Sequence, residues 1–159
     1  MIKKDYLSKF KEILSVNEEV SEIEMTSGNY DDDGKLIKGD IPTITTEFCE
    51  IGIYKKTVYF VFIIHSDTYS KKVFDSLKGF SNVQFYGFKN FKDNLYPKSD
   101  FYYKEFEKGI EKDKYFQIQF NYDFNKILPE LLHKEYLKIK DILIKNKAGI
   151  INQITFNEK

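Results

Sequence analysis

Residues 27–40 read SGNYDDDGKLIKGD, four aspartates gathered around a glycine and a lysine. Three kinds of chemistry use such a set. A calcium loop takes oxygen ligands at positions 1, 3, 5 and 12 and a glycine at 6, where the chain bends sharply. Asn29, Asp31, Asp33, Gly34 and Asp40 fall on those positions, and Leu36 on the usual apolar position 8. Position 12, however, is normally a glutamate that binds through both oxygens, and aspartate is one methylene shorter. The flanks should also be helical, whereas "SEIEMT" and "IPTITTEF" alternate like strands and Pro42 follows two residues after the loop. A magnesium nuclease needs an acid followed by (Asp/Glu)-x-Lys along a strand, so that acid and lysine point to one side. Asp33-Gly34-Lys35 is the chain's only such triplet, and it sits at a turn. The third reading is a hairpin. Asp-Gly between alternating segments is a strong hairpin signal, because both central residues must take positive φ. The hairpin accounts for the same residues with fewest assumptions, so no metal or cofactor is expected.

The remaining reactive side chains are sparse. His65 and His133 lack the Ser or Thr two residues on that two-histidine phosphoesterases require; Asp67 and Glu135 stand there. A zinc site would need further ligands, and Cys49 is the single cysteine. Cys49 falls on the apolar face of an alternating segment and reads as a core thiol. The eight glycines are scattered singly, with no phosphate loop, dinucleotide fingerprint or nucleophile elbow.

The elements that would position these residues follow from periodicity. Tyr6, Leu7, Phe10, Ile13 and Leu14 predict an amphipathic first helix with Asp5 near its start. Residues 19–26 alternate and read as a strand. So do residues 43–54, with Cys49, Ile51 and Ile53 on one face. "YKKT" is a hairpin turn without glycine, and "TVYFVFII", apolar on both faces, is a central strand. Residues 65–80 predict a helix lined by Ser70, Val73, Phe74 and Leu77, capped by Ser66 or Asp67 and closed by Gly79. "NVQFYGF" is a strand with a bulge expected at Gly87, and residues 89–100 are a loop. "FYYKEFEK" is a further candidate strand. In "KYFQIQFNY", Phe116, Ile118, Phe120 and Tyr122 face in while Gln117, Gln119 and Asn121 face out. A long helix begins near Leu128 with Pro129 in its first turn. Leu131, Leu132, Tyr136, Ile139 and Leu143 form its stripe and Gly149 closes it; "IINQITF" returns as a short strand.

This order predicts one α+β domain over residues 1–159: a twisted, mainly antiparallel sheet of five to six strands with about three helices packed on it, a two-layer sandwich. It resembles the secretion-chaperone type of fold, in which two helices flank a twisted antiparallel sheet. The resemblance covers most of the chain and implies architecture alone.

Composition narrows the function. The 159 residues hold 15 Phe and 12 Tyr but no Trp, and a single alanine, Ala148. All 25 basic residues are lysine, so the planar fork that grips phosphates and guanine edges is missing. The codon bias this implies fits an AT-rich bacterial, phage or plasmid genome. No apolar run is long enough to span a membrane, and the charged N-terminus has no apolar signal region. With one cysteine, a cytoplasmic location is expected. The net charge of zero hides an asymmetry: residues 17–50 carry ten acids and two lysines, net −8.

The expected function is accordingly a non-enzymatic module that docks on another protein, such as an antagonist, immunity protein or chaperone. Its acidic hairpin lobe, with Asp31, Asp32, Asp33 and Asp40, would meet a basic, nucleic-acid-binding groove of the partner. Tyr96, Phe101, Tyr102 and Tyr103 would supply exposed rings of the kind that anchor interfaces. Two alternatives remain. Residues 80–124 hold 15 of the 27 aromatics interleaved with lysines, a pattern that could stack single-stranded bases. An enzyme using carboxylate or tyrosine chemistry would leave no local motif.

Overall fold

Tyr6, Leu7, Phe10 and Leu14 form the buried stripe of α1 (Lys3–Leu14), as their three- and four-residue steps require. The computed structural model describes residues 2–26, 41–65, 68, 71–80, 82–88, 96–98 and 115–154. After α1 come β1 (Glu24–Thr26), β2 (Ile41–Thr45), β3 (Glu50–Tyr54), β4 (Thr57–His65) and α2 (Lys71–Leu77). They are followed by β5 (Val83–Phe88), β6 (Tyr96–Lys98), β7 (Tyr115–Asp123) and α3 (Pro129–Lys145). The strands make one sheet in the order β1-β2-β3-β4-β7-β5-β6, and every pairing is antiparallel. This is the expected α+β architecture; the split of residues 43–54 into β2 and β3, together with β6, brings the described sheet to seven strands.

β4 is central because it is apolar on both faces. Val58, Phe60, Phe62 and Ile64 join Phe116, Ile118 and Phe120 of β7 in the main core with α1, α2 and α3. Val61 and Ile63 point the other way and pack with Tyr59 and Ile151. The Phe60 ring lies 5.7 Å from both Tyr122 and Tyr136, and Phe62 lies 6.0 Å edge-on to Phe120. A chain with a single alanine and no tryptophan fills its core with such ring contacts. The C-terminal residues cover β4 where β3 ends. The His65 N–H donates to Gly149 and the Ile151 N–H to Ile63, and Ile150 bridges Ile64. This single bridge stands where a last strand was expected.

Several details depart from the periodicity. Residues 43–54 are two strands, not one. The chain folds back at 46–49, where Thr46 Oγ1 accepts the N–H groups of Phe48 and Cys49, both at 3.1 Å. A threonine side chain thus does the work of a turn that carries no Gly, Pro or Asn signal. β5 runs in unbroken register from Val83 opposite Phe120 to Phe88 opposite Tyr115, so Gly87 makes no bulge. Leu131 is exposed, while Leu132, Tyr136, Ile139 and Leu143 are buried as expected. α3 is closed by Lys147, at φ 57, not by Gly149. The Ala148 N–H reaches Leu143 and the Lys147 N–H reaches Ile144, the paired bonds of a left-handed helix cap.

"YKKT" is a hairpin turn, with Tyr54 opposite Thr57 and Lys55 at φ 54. A side chain in that region costs roughly 1–2 kcal/mol, partly offset by glycine's greater unfolded freedom. Lys55→Gly is therefore expected to raise stability by about 0.5–1 kcal/mol, read as a higher urea midpoint. An unchanged or lower midpoint would show that Lys55 gains something here that glycine lacks.

Candidate protein-docking site

The acidic segment 17–50 is described in two stretches, 17–26 and 41–50, and the structure divides its carboxylates. Glu18 is drawn inward. The Tyr136 hydroxyl donates to Glu18 Oε1 at 2.7 Å and lies 3.2 Å from Thr46 Oγ1. Lys140 Nζ sits 3.6 Å from Glu18 Oε2, the two side chains only 20% and 10% exposed, and 4.1 Å over the Phe48 ring. This group fastens the end of α1, the β2–β3 turn and α3 to one another. Burial, with the Glu18 charge adding to it, pushes the Cys49 thiol well above its ordinary range. A thiol so held is protonated and unreactive. His65 is exposed at the end of β4 on the alternate face, so the two do not form a nucleophile pair. His133, half-buried within α3, has its ring 6.4 Å from those of both Phe10 and Tyr136.

Glu50 is half-buried on the face of the sheet away from the helices. Beside it Tyr59 lies across Gly52, where a Cβ would overlap the phenol and come within 3.0 Å of Thr43 Cγ2. On the same face of β7, Gln119 Nε2 donates to Asn121 Oδ1 at 2.9 Å and Asn121 Nδ2 to Gln84 Oε1 at 3.1 Å. Burial first, then the Glu24 carboxylate, raises the Glu50 carboxyl above the ordinary carboxylate value. Burial and the Glu50 charge raise the Tyr59 phenol as well. The folded state therefore binds the Glu50 proton more tightly than the unfolded chain does. The stabilisation this gives is complete below the ordinary pKa and is lost as pH rises through the folded one. Glu50→Gln should melt higher than the unsubstituted protein at about pH 8 and at a similar temperature at about pH 4. A substitution that lowers the melting temperature at both pH values would mean that the carboxylate is held by favourable contacts.

Glu19, Glu22, Glu24 and Glu47 remain exposed. Glu22 pairs with Lys11 at 3.0 Å; Glu19 and Glu22 lie on the approach to β1 and Glu24 opens it, at one end of the described strand order. The strands that flank the aspartate cluster pair antiparallel, with Thr26 opposite Ile41, so the cluster joins two strands and not two helices. Asp31, Asp32, Asp33 and Asp40 themselves lie outside the described residues, as do Phe101, Tyr102, Tyr103 and the candidate strand 101–108. Tyr96 opens β6, opposite Gly87, within a stretch expected to be loop. Among the described residues no group of three or more His, Cys, Asp or Glu is placed to hold a metal ion. None of the described helices is long and apolar enough to cross a membrane. Sequence reasoning pooled all ten acids; the pairing of Glu18 with Tyr136 and Lys140, 118 and 122 residues away, leaves no local trace.

No protein-family model matches the chain, and no curated protein does. The chain is similar in structure to the conserved hypothetical protein Pfu-178653-001 from Pyrococcus furiosus. The TM-score is 0.65 over 91% of each chain, at 20% identity. That likeness shows a shared α+β fold.

Proposed function

We propose that this protein is a non-enzymatic docking module that engages another protein through the acidic edge of its sheet. The observation that supports this most is the separation of carboxylates just described. Glu18 is held inward by Tyr136 and Lys140, while Glu19, Glu22 and Glu24 stay exposed at and before β1, and Asp31, Asp32, Asp33 and Asp40 follow in the sequence. Like charges gathered at one sheet edge cost stability and steer association with a basic partner. The partner is a protein with a basic, nucleic-acid-binding groove. An antagonist, immunity protein or chaperone acting in the cytoplasm of an AT-rich bacterium, or carried by a phage or plasmid, fits that chemistry.

The experiment is affinity capture from the native host, identification of the partner by mass spectrometry, and calorimetry with the purified pair. The variant carrying Asp31→Asn, Asp32→Asn and Asp33→Asn is expected to bind more weakly and with less dependence on salt. Unchanged affinity would remove the acidic lobe from the account. The single-stranded nucleic-acid alternative predicts retention of an oligonucleotide in a low-salt filter assay; the docking reading predicts none.

A further inference from the structure

The chain from Val20 to Thr26 runs along β2 with one residue too many. Val20 bridges Thr46 and Glu24 pairs with Thr43, so four steps on this side span three on the other. The extra residue forms a bulge at 21–23, and Ser21 fills it. Its N–H donates to the Thr45 carbonyl, and its Oγ accepts the Thr45 N–H, both at 2.9 Å. Past the bulge Met25 stands opposite Pro42. Proline has no N–H, so this is a non-hydrogen-bonded pair, and the N–H and C=O of Met25 point away from β2. Met25 is 47% exposed, and β1 ends the strand order of the described sheet. A groove of about 580 Å³ lies beside the bulge that leads into β1, between Ser8, Lys11 and Glu12 of α1, Ser15 at its C-terminal cap, and Glu22 and Ile23 of the bulged segment. Among its described lining residues the one cation, Lys11, is paired with Glu22.

We propose that the β1 edge and this groove form a strand-addition site for an extended, lysine- or arginine-bearing segment of a partner protein. A partner residue opposite Met25 exchanges both backbone bonds with it. Alternate side chains of the incoming strand then fall toward Glu24 on one face and toward Met25 and the groove on the other. The charge on this edge selects the occupant: Glu12, Glu19, Glu22 and Glu24 repel an acidic strand and attract a basic one. The proposal rests on the docking reading and specifies its geometry.

Fluorescence anisotropy tests it with three labelled nine-residue peptides. One alternates lysine and valine, one is the same sequence with every backbone amide N-methylated, and one alternates glutamate and valine. The lysine–valine peptide is expected to bind at micromolar concentration, the methylated one at least about tenfold more weakly, and the glutamate one not at all. Met25→Pro removes the outward N–H without touching the β2 pairing, a position where an edge strand tolerates proline. It should weaken the lysine–valine peptide by about tenfold or more while leaving the melting temperature nearly unchanged. Equal binding of the methylated and unmethylated peptides would overturn strand addition and leave the charge-driven docking reading standing. No binding of the lysine–valine peptide at about 100 µM would overturn the inference outright. The docking reading would then be judged by its captured partner. Should Met25→Pro fail to fold, the methylated peptide decides alone.

Discussion

Tyr136→Ala is expected to destabilise the protein by about 3–5 kcal/mol, the range for deleting a large buried ring, enough to threaten folding of a domain this size. Tyr136 is fully buried; its ring packs on Phe60 and Phe62, and its hydroxyl serves Glu18 and Thr46. Alanine would open a cavity and leave the Glu18 carboxylate with Lys140 alone. Tyr136→Phe separates the two parts. Keeping the ring and losing the hydroxyl should cost less, about 1–3 kcal/mol, the range for stranding a buried acceptor. Burial first, with the hydrogen bond to Glu18 and the Glu18 charge behind it, raises the Tyr136 phenol far beyond its usual range, so the hydroxyl keeps its proton at neutral pH. Chemical denaturation with both variants measures the split. Equal losses would place all of the effect in the hydroxyl; no loss in Tyr136→Phe would make the Glu18 bond energetically idle.

The second large effect is on association. Reversing Glu19, Glu22 and Glu24 to lysine shifts segment 17–50 by six charges, from net −8 to −2. Association with a basic partner is expected to slow by about 100-fold at low salt, because steering of this kind separates fast from ordinary encounter rates by several orders of magnitude. Stability should change by only a few tenths of a kcal/mol, since all three side chains are exposed and the Lys11–Glu22 pair is a surface one. Stopped-flow association with melting curves on the same samples checks both halves. A large loss of stability would recast these acids as structural.

Periodicity exposed most of this fold. The β4 run is apolar on both faces and lies centrally; "KYFQIQFNY" alternates and is β7, with Phe116, Ile118 and Phe120 buried. What stayed hidden depends on side chains acting outside their usual roles. Thr46 makes a turn and Lys55 and Lys147 take backbone angles normally given to glycine, so no punctuation marks those corners. Gly87 carried a bulge signal and sits in regular register; Gly149 carried a helix-end signal and instead allows a close approach, since a Cβ there would come within 3.0 Å of Thr68 Cγ2. The site was legible as charge but not as geometry. The count of acids marks 17–50 as acidic, yet nothing local told Glu18, held by α3, from Glu19, which faces solvent. The bulge at 21–23 is equally silent in an alternating string, and it is Pro42 on the neighbouring strand that fixes which way Met25 turns its backbone.

The salt dependence of the association rate with the captured, purified partner tests the docking account most directly. The rate is expected to fall steeply from low to physiological salt, with a flatter slope for the variant with Glu19, Glu22 and Glu24 reversed. A rate indifferent to salt and identical in the two proteins would contradict it.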